Sequence, residues 1–160
     1  MISWLTSTTV GKFLATFFIS MVPIIELRGG LPYGIGFGLT YPLALAAAVL
    51  GNMLPVPFII IYIKKIFHWL RRHFARMDAF VTKLENKAHL KGEKVERYGP
   101  AMLLLFVGIP LPGTGAWTGA LVAALLDMPL KKSVPYIFLG VLLAAAIITG
   151  VTFGVIHVVN

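Results

Sequence analysis

Two ionisable residues, Glu26 and Arg28, interrupt the apolar stretch 13–40. A charged side chain at bilayer depth costs ~2.5–3.5 kcal/mol even on a lenient insertion scale, so it is rarely kept without a use. Residues two apart do not face each other on a helix. A direct Glu26–Arg28 pair therefore needs irregular backbone, which Gly29, Gly30 and Pro32 suggest. The plain reading is an ion pair that neutralises itself at a helix break. The functional reading makes Arg28, beside Gly29 and Gly30, a planar, permanently charged fork for an anionic group. Glu26 would then bind and release a proton or a cation.

A second break, Pro110-Leu111-Pro112-Gly113-Thr114-Gly115, carries no charge. Its chemistry would come from backbone: the glycines let successive N–H groups turn toward one point, and a half-helix beginning near Ala116 aims the positive end of its dipole there. Thr114 and Thr118 add hydroxyls and Trp117 an indole donor. The plain alternative is a tight turn that satisfies only its own backbone. Asn52 is a further polar group in an apolar run, open to a helix-to-helix hydrogen bond or a substrate contact.

Other chemistry finds little support. The PxPGTG pattern lacks the Gly-Lys-Ser/Thr ending of a phosphate-binding Walker loop. His68, His73 and His89 have no metal-ligand spacing, His157 sits near a helix end, and cysteine is absent. No nucleophile, base and orienting group can be assembled, so neither an enzyme nor a cofactor or metal is expected.

The elements that must position these residues are those of an all-α integral membrane protein. Hydrophobic residues make up 58% of the 160, and the mean hydropathy of +0.88 exceeds what a soluble domain of this size could bury. Residues 43–63 and 134–156 are each about twenty residues long and nearly uncharged, matching a ~30 Å hydrocarbon core at ~1.5 Å per residue. Pro55 and Pro57 should kink the first. Residues 13–40 and 101–126 are broken at their centres into arms of about ten residues, each reaching ~15 Å, half the core. Both read as re-entrant hairpins, the first broken at 26–32 and the second at 110–115.

The spacing from Pro23 to Pro42 equals that from Pro110 to Pro129, and Leu follows the second proline in both copies (Leu43, Leu130). This predicts one membrane domain of two inverted repeats, 13–63 and 101–157, each a re-entrant hairpin plus a spanning helix. Between them lies the linker 64–99. Ten of the fourteen basic residues fall between Lys64 and Arg97, among four acids, which leaves that segment at +6. Such a block suits a cytoplasmic loop of a cell (inner or plasma) membrane protein, and no nucleic-acid module accompanies it. Ile66, Leu70, Phe74, Met77, Val81, Leu84 and Ala88 predict an amphipathic helix on anionic headgroups, or a dimer seam. Gly92 or Gly99-Pro100 would end it. The N-terminal apolar run has no basic residues before it, so a cleaved signal peptide is not expected.

At Glu26-Leu27-Arg28-Gly29-Gly30-Leu31-Pro32, together with Pro110 through Gly119, the sequence resembles the small multidrug export family over nearly its whole length. The PxPG break is also similar to one in the DedA/VTT membrane proteins. That resemblance implies paired re-entrant hairpins and the transport or scrambling of lipids, undecaprenyl phosphate among them. Those proteins place an acid directly after the break, where this chain has Thr114, and carry their arginines in the other hairpin.

The expectation is a transporter or flippase for an anionic lipid head group. Its site, near the midplane, would comprise Arg28, Gly29, Gly30, Asn52, Pro110, Pro112, Gly113, Thr114, Gly115, Trp117 and Thr118, with Glu26 as the coupling residue. Proton-coupled export of lipophilic cations is the first alternative and a non-transporting membrane scaffold the second. So small a protomer is expected to form a homodimer in the bilayer, shielding its polar breaks from lipid.

Overall fold

The computed structural model describes residues 7–74, 77–111 and 113–159; Pro112 lies outside them. Among the described residues the regular structure is helical: α1 (Thr9–Met21), α2 (Glu26–Gly36), α3 (Tyr41–Met53), α4 (Pro55–His73), α5 (Met77–Tyr98), α6 (Pro100–Gly108), α7 (Ala116–Leu125) and α8 (Leu130–Val159). Two stretches among the described residues are long and apolar enough to cross a membrane, Tyr41–His73 and Leu130–Gly154. The first contains the join of α3 and α4 at Leu54, where Pro55 starts a new helix at a position that needs no N–H donor.

Both apolar arms end by the same local rule. The residue before a proline is driven out of the helical region by the pyrrolidine ring. Val22 before Pro23 (φ −70°, ψ 128°) and Ile109 before Pro110 (φ −79°, ψ 117°) are accordingly extended. The first break therefore spans Val22–Ile25, ahead of the glycines rather than at 26–32. The glycines and Pro32 lie inside α2. Each second arm closes with the same cap. Gly38 N and Leu39 N donate to Ile35 O and Gly34 O, and Asp127 N and Met128 N donate to Ala124 O and Ala123 O. This arrangement needs a left-handed residue, Gly38 (φ 81°) in one copy and Asp127 (φ 53°) in the other.

The two arms of each pair pack on each other, antiparallel in the first. Gly30 of α2 lies against Ser20 of α1, and Gly34 against Thr16. Gly119 of α7 lies against Val107 of α6, with Leu103 one turn away. Each first arm also packs on the spanning helix of its own half, α1 on α3 and α6 on α8. Glycine lets the backbones touch: a Cβ on Gly51 would meet Phe17 O at 2.1 Å, and one on Gly140 would meet Leu104 O at 2.8 Å. The second arms reach across, α2 to α8 and α7 to α4. Leu27, Leu31, Val56, Leu103, Val107, Ala120, Ile137 and Val141 form the shared apolar core.

The mouths of the two arm pairs lie at opposite ends of α8. Tyr41, just past the first pair, shares a hydrogen bond with Thr149 (3.0 Å) and an edge contact with Phe153. Asp127, at the end of the second pair, leads directly into Leu130 and forms an ion pair with Lys64 at 2.6 Å.

The linker is not one surface helix. α4 continues through Lys64 and Arg72 to His73, the chain turns at Phe74 (φ −135°), and α5 begins at Met77. Arg71 accounts for the return: it pairs with Asp78 (3.3 Å) and Glu85 and donates to Thr82 (3.3 Å), all on α5. Within 64–99 the buried apolar side chains among the described residues are Phe67 and Val81, one on each helix, so the stripe Ile66 to Ala88 falls on two helices.

Candidate functional site

Glu26 opens α2 with a left-handed backbone (φ 50°), a conformation that costs a non-glycine residue roughly 1–3 kcal/mol. That turn carries its side chain to the second break, where it is buried at 4% exposure. Glu26 Oε1 accepts from Trp117 N at 3.2 Å. The carboxylate thus occupies the N-terminus of α7, where free N–H groups and the helix dipole favour an anion. The indole of Trp117 turns back and donates to Met21 O at 3.1 Å, closing the contact from the other side.

Arg28 engages the same break by different atoms. One terminal nitrogen donates to Leu111 O and the other to Thr114 Oγ1 at 2.8 Å. Thr114 Oγ1 lies 2.9 Å from Ile109 O and 2.8 Å from Leu111 O, so its single proton serves the break's own backbone while its lone pairs receive Arg28. Glu26 and Arg28 do not bridge each other: among the described residues the ion pairs are Lys64–Asp127, Arg71–Asp78 and Arg71–Glu85. Both charges instead tie the first break to the second.

Gly115 is what permits this seating. A Cβ there would lie 2.0 Å from Glu26 Oε2 and 2.7 Å from its Cδ, and the residue's φ of 137° suits glycine alone. Gly113 (φ 75°) supplies a second left-handed turn in the same loop.

The remaining predicted residues divide between the site and its supports. Asn52, 3% exposed, lines a small cavity with Glu26, Arg28, Gly115 and Ala116. Gly30 serves the α1–α2 contact, because a Cβ would fall 1.8 Å from Ser20 Oγ, and Gly29 packs against Ile25. Pro110 sits in the loop and ends α6 through Ile109. Thr118 lies on the first turn of α7 and joins none of the hydrogen bonds described above. Spacing did not single out the carbonyls of Met21 and Leu111, nor Val107, Val141 and Ala144 on the cavity wall. Val141 and Ala144 stand near the middle of the Leu130–Gly154 span, which puts the cavity at that level of α8.

Two long apolar helices and a polar site held between two interrupted apolar segments define a small, all-helical membrane protein. The family model described as "Putative small multi-drug export protein" matches residues 26–147, and the chain belongs to that family. The matched region begins at Glu26 and takes in the whole of the second break. No curated protein and no solved structure matches the chain.

Proposed function

We propose that this protein is a membrane transporter whose site lies near the bilayer midplane, between the tips of two re-entrant hairpins, 13–40 and 101–126, that open to opposite faces. The packed arm pairs, the mouths at opposite ends of α8 and the cavity near its middle support this inverted-repeat reading. Excess Lys and Arg in 64–99 support a cytoplasmic side for that segment, with the protein in an inner or plasma membrane. A homodimer would cover exposed apolar residues such as Phe18 and Leu50.

The substrate we infer is an anionic head group such as the phosphate of a carrier lipid, undecaprenyl phosphate being one example. The observation that carries this is the Glu26 carboxylate on the N-terminus of α7, beside the Arg28 fork. In this arrangement the protein's own carboxylate holds the place of the substrate anion. Proton uptake neutralises Glu26 and weakens its hold on the Trp117 N–H. A phosphate then takes over that donor together with Arg28 and the Thr114 hydroxyl. Loss of the proton returns Glu26 and expels the phosphate. One group therefore both gates and couples, and substrate and carboxylate compete for one positive spot.

The test is translocation of a fluorescent lipid phosphate in proteoliposomes. Arg28→Ala should slow it about tenfold or more, as expected for the loss of a charge-assisted contact of about 1.5–3 kcal/mol. Wild-type rates in Arg28→Ala would sink the proposal. Glu26→Gln should leave movement that no longer responds to a pH gradient.

The family's description favours a second reading, proton-coupled export of small lipophilic cations, in which Glu26 pairs with the cation and Trp117 walls it. A cationic dye whose binding is lost in Glu26→Gln but unaffected by Arg28→Ala would select it.

A further inference from the structure

Among the described residues, the one buried side-chain polar atom with no hydrogen-bond partner is Asn52 Oδ1. An acceptor buried without a partner costs about as much as a lost hydrogen bond, so such atoms in folded proteins generally have a partner in bound solvent or a ligand. Asn52 lines a cavity of about 10 Å³, room for roughly one water molecule. Its polar lining residues include Asn52, Glu26 and Arg28; Leu27, Val107 and Val141 are among the apolar remainder.

We propose that this cavity is a built site for one hydrogen-bond-donating guest, a water molecule shared by Asn52 Oδ1 and the Glu26 carboxylate, and that this water is the route by which Glu26 exchanges its proton. The proposal rests on the reading of Glu26 as the coupling group.

The chemistry of the wall selects the guest. Two acceptors call for a molecule with two donors, which water supplies, and its own oxygen remains free to receive an N–H from Arg28. A sodium ion would also satisfy two acceptors. It would, however, add a second positive charge beside Arg28, the only other charged side chain on the wall, where one carboxylate is present to balance both. A neutral guest avoids that imbalance. Glu26 is almost wholly covered, so a proton needs a carrier beside it. A proton arriving at the water's oxygen from solvent, as the water passes one of its own protons to the carboxylate, leaves a neutral resident water; the reverse relay returns the proton to solvent. Asn52 acts as a positioning residue that keeps this water in place.

The test needs no transported substrate. Full-length protein in nanodiscs is moved into deuterated buffer, and hydrogen–deuterium exchange at the Glu26 carboxylic acid is followed by infrared difference spectroscopy, the band being assigned with Glu26→Gln. Asn52→Leu, similar in volume but without an acceptor, should slow exchange about tenfold or more, the scale of losing one hydrogen bond to bound solvent. Asn52→Ser, which keeps an oxygen, should restore it. Equal rates in wild type and Asn52→Leu overturn the route. If Asn52→Leu does not fold, an experimental wild-type density map that resolves solvent decides the matter. A peak at water hydrogen-bonding distance from Asn52 Oδ1 and Glu26 supports the site. A dry cavity, or a peak at the shorter distances of a coordinated cation together with sodium-dependent thermal stability, overturns it. Because exchange is read without lipid phosphate, failure of the transport test leaves this result standing, and the reverse also holds.

Discussion

Replacing Gly115 with alanine should separate the two breaks without touching a charged residue. The new Cβ would lie 2.0 Å from Glu26 Oε2 and 2.8 Å from Oε1, so the carboxylate must leave the N-terminus of α7 or the loop must move. Losing a hydrogen bond to a charged group costs about 1.5–3 kcal/mol. Holding an alanine at φ 137° adds about 1–3 kcal/mol. The total is about 2.5–6 kcal/mol, which at its upper end can unfold a marginal protein. In a Glu26→Ala background there is no carboxylate to displace, and Gly115→Ala should then cost only the backbone part. The double-mutant cycle should therefore return a coupling of about 1.5–3 kcal/mol. Unfolding in mixed micelles by a denaturing detergent, followed by circular dichroism, measures all four corners. An equal cost of Gly115→Ala in both backgrounds would refute the claim that this glycine exists to seat Glu26.

Gly30→Ala should be destabilising by about 1–3 kcal/mol as an overpacked contact, and Ser20→Gly should rescue much of that loss because the clash is with a side chain. Gly51→Ala should cost at least as much, and no substitution of Phe17 should rescue it, since the obstacle is the Phe17 carbonyl. Thermal unfolding of the single and paired variants distinguishes the two. Arg71→Ala should loosen α5 from α4, seen as faster proteolysis within 74–90. It should lower overall stability by no more than ~1 kcal/mol, because the pairs are solvent-accessible.

The chemistry of the site was more legible in the sequence than its backbone. Glu26 and Arg28 stand out because charge is costly in an apolar stretch, and their convergence on the second break follows from that cost: each finds a partner there. The short arms were readable because a proline interrupts each apolar stretch near its middle. The first break falls ahead of the glycines because the residue before a proline is the stronger helix breaker here. Val22 turns extended under the constraint of Pro23, while Gly29 and Gly30 stay helical and serve packing. The turn at Phe74 had no Gly or Pro to announce it. It depends on Arg71 meeting Asp78 and Glu85, a contact that exists only once α4 and α5 lie side by side. The role of Gly115 was similarly hidden, because a missing side chain gains meaning only from what occupies the space, here a carboxylate from 89 residues earlier in the chain.

The level of the Glu26 cavity on α8 has an electrical consequence. Moving one elementary charge through a whole membrane is worth ~2.3 kcal/mol per 100 mV. If the cavity lies at the midplane, as proposed, a proton reaching Glu26 from either face crosses roughly half of that drop, about 1 kcal/mol per 100 mV. Voltage would then bias the occupancy of Glu26 by several-fold in opposite senses from the two faces, so in the proposed inverted-repeat arrangement the resting potential would set a direction that symmetry does not.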